Sequence, residues 1–250
     1  TTHNGTGVSS LIVQQQGSTI DLRGASDTLV VSATTGTGTK LLPTALASEG
    51  GSLTIAASRG AVLEGNVYAQ GGNSAAAAGS LALGVRPTTL PSDSSVSGAL
   101  PQSYQITLQE ATPSSTQGLT VANAASLKTV SRYGQAVVAS NWLDKAGYAD
   151  VRLSAADKIA AQGSTTVSAQ RSLVLSAPVY SLAALGSGET LTLRAPQVVF
   201  GNAGTDAADQ TVGNLSDASS NRASLLIEAN QARLKGVTTL QGVRDFVVRA

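Results

Sequence analysis

Residues 172–182 read SLVLSAPVYSL and residues 150–163 read DVRLSAADKIAAQG. In each, two apolar residues spaced by one (Leu173/Leu175 and Val151/Leu153) are followed by a small residue at a turn and then a second short apolar run. Period-2 spacing puts both members of such a pair on one face of a strand. Working outward, the template returns at SLTIAASRGAVLEGN (52–66), TLTLRAPQVVFGN (190–202) and SLLIEANQARLKG (224–236), with anchor pairs Leu53/Ile55, Leu191/Leu193 and Leu225/Ile227. The anchors stand 22 residues apart from Val151 to Leu173, 18 from Leu173 to Leu191 and 34 from Leu191 to Leu225, the last step carrying the polar stretch GNAGTDAADQTVGNLSDASS. A period of about 20 is too short for an ankyrin, TPR or WD40 unit. It suits one coil of a parallel β-helix, whose short strands are joined by tight turns and whose coils stack ~4.8 Å apart. The expected class is therefore all-β, a parallel β-helical solenoid over residues 1–250. An antiparallel β-sandwich also shows short strands with turn signals, but the hairpin dipeptide Asn-Gly occurs only at Asn4-Gly5.

That geometry accounts for the composition. The chain has 26 Gly, two Phe, one Trp, no Met and no Cys, so a thick core of large interlocking side chains cannot be built. A narrow stacked interior takes columns of Val, Leu, Ile and Ala. Ala56, Ala155, Ala177, Ala195 and Ala229 follow the anchor pairs, where a crowded corner accepts only a small side chain. Gly65-Asn66, Gly201-Asn202, Gly163 and Gly236 stand where corners need positive φ.

Weaker coils fill the remainder. STIDLRG (18–24) and TLVVSA (28–33) are expected to pair near the start; GNVYAQGG (65–72), GSLALGV (79–85), QITLQEA (105–111), GLTVANAASLKTV (118–130) and QAVVAS (135–140) lead onward. Two excursions leave the stack, at 86–104, which carries three of the seven Pro, and at 201–222. One short helix is expected at 140–147, capped by Ser140 or Asn141 at its start and Gly147 at its end. With about 10 coils at ~4.8 Å each, the shaft would be roughly 50 Å long.

Several chemistries drop out. Without Cys there are no disulfides, thiolate metal sites or cysteine nucleophiles. His3 is the sole imidazole, which excludes a Ser-His-Asp triad, a multi-His metal site and the Gly-His-Gly signature of pectin-degrading β-helices. Sixteen basic residues against fifteen acidic, with the signs interspersed, leave no basic stripe for nucleic acid. The apolar runs are too short for a spanning helix, which needs about 20 residues. With no Met in the chain, Thr1 is read as the start of a processed chain or of a piece of a longer one.

The stretches GGSLTIAASRGAVLEGNVYAQGG (50–72), RSLVLSAPVYS and GETLTLRAPQVVFGN resemble the repeat region of the filamentous haemagglutinin family, large bacterial exoproteins exported by two-partner secretion. The resemblance covers residues 48–85 and 145–250. It implies a right-handed β-helical shaft, a secreted or cell-surface location, a role in adhesion or as a stalk for toxin delivery, and an outer-membrane transporter as export partner. The Asn-Pro motifs of that family's secretion domain are absent, so the resemblance is to an internal or downstream segment.

The expected function is thus non-enzymatic, with no cofactor and no metal: a structural or adhesive segment whose partner is a surface receptor or glycan met through loops 86–104 and 201–222. Two other readings stand beside it. A carbohydrate-binding or carbohydrate-active module would stack sugars on Trp142 and Tyr148 and use Asp144, Asp150 or Asp157 as acids, which glycoside hydrolysis requires about 5–9.5 Å apart on one groove. A self-assembling filament would use the unpaired strand edges at open coil ends for end-to-end association. Calcium would look to Asp206 and Asp209, but GNAGTD (201–206) is a single imperfect copy of a loop that needs several consecutive repeats; GTGTK (36–40) lacks the apolar helix a phosphate cradle needs; and the outward Arg152, Arg171, Arg194 and Arg233 form an exposed ladder.

Overall fold

A computed structural model of the chain describes residues 11–35, 38–57, 60–86, 103–113, 134–202, 212–215 and 222–249. The first strands are β1 (Leu11–Gln14), β2 (Thr19–Asp21), β3 (Ser26–Thr35), β4 (Gly38–Ala47), β5 (Ser52–Ala57), β6 (Gly60–Leu63), β7 (Asn66–Tyr68) and β8 (Ser80–Val85). Next come β9 (Gln105–Gln109), β10 (Gln135–Ala139), the helix α1 (Ser140–Ala146), β11 (Asp150–Ala155), β12 (Lys158–Gln162), β13 (Thr165–Ser168), β14 (Ser172–Ser176) and β15 (Val179–Ser181). The chain continues through β16 (Thr190–Arg194), β17 (Gln197–Gly201), β18 (Val212–Leu215), β19 (Ala223–Glu228), β20 (Gln231–Lys235), β21 (Val237–Gln241) and β22 (Val243–Arg249). The fold is mostly β, and its sheets are parallel except for one hairpin.

Three parallel sheets carry the body. One has six strands in the order β5-β8-β11-β14-β17-β20, one has four in the order β13-β16-β19-β22, and one has eight in the order β1-β6-β10-β9-β12-β15-β21-β18. From β11 onward the chain visits the six-, eight- and four-stranded sheets in rotation, as β11-β12-β13, β14-β15-β16, β17-β18-β19 and β20-β21-β22. The anchors stack in register: Leu53, Leu81, Val151, Leu173, Val198 and Ala232 form one row, and Ile55, Leu83, Leu153, Leu175, Phe200 and Leu234 the next. The 18-residue step from Leu173 to Leu191 is not a coil. Leu191 and Leu193 belong to the four-stranded sheet, where they stack between Thr165/Val167 and Leu225/Ile227. The partners of Leu173 and Leu175 are Val198 and Phe200, 25 residues on.

The eight-stranded sheet departs twice from simple succession. It gains β10 between β6 and β9, and it places β18 outside β21, so that β15 pairs directly with β21. The two departures offset each other: β6 to β21 and β5 to β20 both span five strand steps. With strands ~4.8 Å apart those five steps measure about 24 Å, and the full eight-stranded sheet, with β1 and β18 one step further out at its ends, about 34 Å.

Side chains facing between the sheets make one mainly aliphatic cluster running from Ile55 to Val243, with Trp142, Tyr148, Tyr180 and Phe200 as its aromatic members. Alternation along the strands is regular, as in β8 and β19, where every second residue is buried. At the corners Ala155, Ala177, Ala195 and Ala229 are buried as expected, but on β5 it is Ala57 rather than Ala56 that turns inward. Gly163, Gly201 and Gly236 do take positive φ. Gly65 does not; it is needed because a Cβ there would strike the Ser18 and Gln14 side chains.

Near the start, β2 pairs with β7, whereas β3 pairs antiparallel with β4 in a ten-rung hairpin from Ser26↔Ala47 to Thr35↔Gly38. This overturns the expected pairing of residues 18–24 with 28–33. The hairpin is attached at its base, where Ser48 N–H donates to the Ala25 carbonyl and Ala25 N–H to Ser48 Oγ, both at 2.9 Å. Of the expected excursions, residues 87–102, 203–211 and 216–221 lie outside the described residues, as does 118–130; residues 212–215 form β18 rather than loop.

Candidate functional site

α1 has seven residues and occupies a strand's place in the wall. It packs between β7 and β13, with Trp142, Leu143 and Ala146 buried. Its first turn has no side-chain cap: Ala139, not Ser140 or Asn141, is the N-cap, and Glu110's carbonyl instead accepts from Asn141 N–H at 3.2 Å. Gly147 ends it at φ 68°, donating to the Leu143 carbonyl at 3.0 Å, as the sequence predicts. The helix is tied to both neighbours through polar groups: Ala69 N–H donates to the Ala146 carbonyl (2.9 Å), Lys145 Nζ to Asn66 Oδ1 (2.7 Å), Ser168 Oγ to Asp144 Oδ1 (2.7 Å), and Gln170 Nε2 to the Gly147 carbonyl (3.1 Å).

This placement corrects the sugar-stacking reading. Trp142 and Tyr148 are only 4% and 2% exposed and face each other across the core at 6.2 Å, 50° apart. Neither ring offers a face to a sugar. Trp142 Nε1 and Tyr148 OH are buried with no hydrogen-bond partner among the described residues, and burial alone pushes the Tyr148 hydroxyl well above its ordinary value.

The three candidate carboxylates do separate structural work. Asp144 accepts from Ser168. Asp150, at the start of β11, accepts from both Arg171 and Ser172 on the next turn of chain; the Arg171 hydrogen bond, followed by that from Ser172, holds its carboxyl below the usual value. Asp157, in the β11–β12 corner, accepts from Tyr104 N–H at 2.6 Å. These are three sites on three elements, each carboxylate engaged in joining segments far apart in the chain.

A row that sequence reading did not find runs along one corner. Leu22, Ala69, Ala169, Ala195 and Ala229 each donate a backbone N–H to the next turn, to Tyr68, Ala146, Arg194, Glu228 and Arg249 respectively. The residues just before the corner therefore stack as Asp21, Tyr68, the end of α1, Ser168, Arg194, Glu228 and Arg249. Arg194 bonds Glu228 at 2.6 Å, and Arg249 reaches the other oxygen of Glu228 at 4.0 Å. Arg23 and Lys145 lie 5.4 and 5.8 Å from the Tyr68 ring centre. Two shallow hollows open here, one of about 530 Å³ lined by Ser168, Arg194, Pro196, Glu228, Asn230 and Arg249, the other of about 510 Å³ lined by Asp21, Arg23, Gly24, Gly71 and Gly72. The signal in the sequence was the charged residue before Ala at Arg194-Ala195, Glu228-Ala229 and Arg249-Ala250, visible only once the strands are assigned to their sheets.

Of the outward arginines, Arg171 and Arg194 are thus paired across turns. His3, Gly36, Thr37, Asp206 and Asp209 lie outside the described residues. Among the described residues no three His, Cys, Asp or Glu side chains come together as a metal site, and no helix is long and apolar enough to cross a membrane. Comparison of the chain with protein-family models, curated proteins and solved structures found no match to any of them.

Proposed function

We propose that the chain is a piece of a right-handed parallel β-helix that serves as a rigid, non-enzymatic building block of a shaft in a bacterial secreted or surface protein, carrying adhesive or toxin-delivering parts away from the cell. One observation carries this: strands that follow one another in the chain visit three sheets in rotation and pair parallel, residue on like residue, over rows as long as Leu53-Leu81-Val151-Leu173-Val198-Ala232. Such stacking makes a continuous aliphatic interior whose stiffness does not depend on any ligand. The likeness of residues 48–85 and 145–250 to filamentous haemagglutinin repeats adds the location, the transporter and the adhesive role. A receptor or glycan would meet residues 87–102 and 203–211. The carbohydrate-active alternative loses its platform with the burial of Trp142 and Tyr148.

The stacking is tested by cross-linking, because the chain has no cysteine of its own. Thr192→Cys with Leu226→Cys puts the pair on adjacent rungs, ~4.8 Å apart and within disulfide range. A disulfide should form on mild oxidation. Val174→Cys with Thr192→Cys, 18 residues apart but on different sheets, should form none. The reverse result sinks the reading. For the adhesive role, cell binding by the immobilised chain should disappear when residues 87–102 and 203–211 are replaced by Gly/Ser linkers.

A further inference from the structure

The β3–β4 hairpin carries apolar side chains with no layer over them. It stands outside the three stacked sheets, and among the described residues its two strands pair only with each other. Six of the ten large apolar residues exposed among the described residues lie in it: Leu29, Val30, Val31, Leu41, Leu42 and Leu46. Its two faces differ. Cross-strand partners share a face and successive residues alternate, so the register from Ser26↔Ala47 to Thr35↔Gly38 puts Leu29, Val31, Leu42 and Leu46 on one face with Thr44, Asp27 and Lys40. Val30 and Leu41 lie on the other, among Ser26, Thr28, Ser32 and Pro43. On the first face Asp27 stands at the base opposite Leu46, and Lys40 stands toward the tip, six residues or about 20 Å away along the ribbon. Both are exposed, so an acid and a cation bracket the apolar patch at its two ends.

We propose that a second copy of this chain packs the same hairpin face against this one, with the two ribbons antiparallel about a two-fold axis, so that Asp27 of each copy meets Lys40 of the other. The patch is self-complementary in charge, and that decides both the occupant and its direction. Ribbons stacked face to face lie ~10 Å apart, a gap that a lysine and an aspartate reaching from opposite sides can span. Stacked antiparallel, they match opposite charge at both ends and bring Leu29, Val31 and Leu42 of the two copies together in the middle. Stacked parallel, they would set Asp27 against Asp27 and Lys40 against Lys40, and would crowd both bodies at one end, where each hairpin leaves its body between Ala25 and Ser48. Pairing at the outer edge of β4 is opposed by Pro43, because a proline inside a paired strand stands with its nitrogen toward the free edge and offers no donor there. Each copy contributes five positions from each strand, ten in all, against about 20–30 residues a side in a standard interface, so the dimer is weak and concentration-dependent. A two-fold contact uses the same patch on both copies and closes at two.

Sedimentation velocity on the full chain tests this. The parent should pass from monomer to dimer, and no further, as its concentration rises toward about 1 mM. Asp27→Lys alone and Lys40→Asp alone each set like charge against like at both ends of the contact, and each should weaken self-association about three- to tenfold at low salt. An equimolar mixture of the two variants should dimerise as well as the parent, because a mixed pair matches opposite charge at both ends again. A chain whose residues 26–47 are replaced by a short Gly/Ser turn should stay a monomer. A parent that is monomeric at every concentration, dimers that survive loss of the hairpin, single variants that associate like the parent, or a mixture no stronger than its components would each overturn the proposal. The hairpin lies outside the stacked sheets, so the Thr192/Leu226 disulfide tests the β-helical reading separately, and either can fail alone.

Discussion

At the residue scale, equal-looking substitutions should separate sharply. Gly163 has φ 70° with open space around it, so Gly163→Ala should cost about 1 kcal/mol. Gly201 has φ 151° and its missing Cβ would run into the Lys235 carbonyl of the next strand, so Gly201→Ala should cost about 3 kcal/mol or more in urea unfolding. The buried tyrosines make a second contrast. Tyr180 OH donates to the Gly201 carbonyl at 2.8 Å beneath Phe200, and Tyr180→Phe should lose about 1 kcal/mol. Tyr148 OH has no such partner, and Tyr148→Phe should be neutral within about 0.5 kcal/mol. Asp150 is a carboxylate whose folded-state value is depressed by Arg171, so its contribution is whole above the ordinary value of 3.8 and fades as pH falls through the folded value. Asp150→Asn should cost about 1 kcal/mol near neutral pH and converge on the parent in acid. None of these contrasts is legible in sequence: Gly163 and Gly201 both close a strand, and although the sequence favours Trp142 and Tyr148 as cover for the wall over a sugar platform, it does not tell which buried tyrosine hydroxyl finds a partner.

At the scale of elements, strands were legible and their sheets were not. The pairs Leu173/Leu175 and Leu191/Leu193 are both buried strand residues, as alternation demands. But the corner Ser176-Ala177-Pro178 leads from the six- to the eight-stranded sheet, and Arg194-Ala195-Pro196 from the four- to the six-stranded one. Both corners need a small residue inside and a Pro-fixed bend, so they converge on one spelling, and the 18-residue step follows from taking them as equivalent. The β3–β4 hairpin escaped for another reason. TLVVSA (28–33) reads as a strand and lies in β3, but its partner does not read as one: among the described side chains the hairpin has no buried face, with Leu29, Val30, Leu41, Leu42 and Leu46 exposed, and Pro43 stands mid-strand in β4, so alternation does not mark the pairing. Two strands without a covering layer are marginal in water. Their amides should exchange with solvent orders of magnitude faster than those of β11 and β14 in a hydrogen-exchange experiment. Replacing residues 26–47 by a short Gly/Ser turn should leave the thermal midpoint of the body nearly unchanged.

At the scale of the whole molecule, each turn of chain touches chiefly the turns before and after it, so stability should add turn by turn. A chain ending at Asn230 should keep the β-type circular dichroism of the parent and unfold cooperatively at a lower temperature, since it loses β20 and β22 at the edges of their sheets and β21, the strand on which β18 pairs. The base of the hairpin has a further consequence. Gly24, Gly50, Gly72 and Gly79 press backbone on backbone there, with no room for a Cβ, and the Ser48–Ala25 bonds bring the chain back to the point where it left. Entry and exit are stitched together independently of what lies between them. The corner is in effect a splice port: foreign peptide could be displayed between Ala25 and Ser48, and the host's register would not record its length.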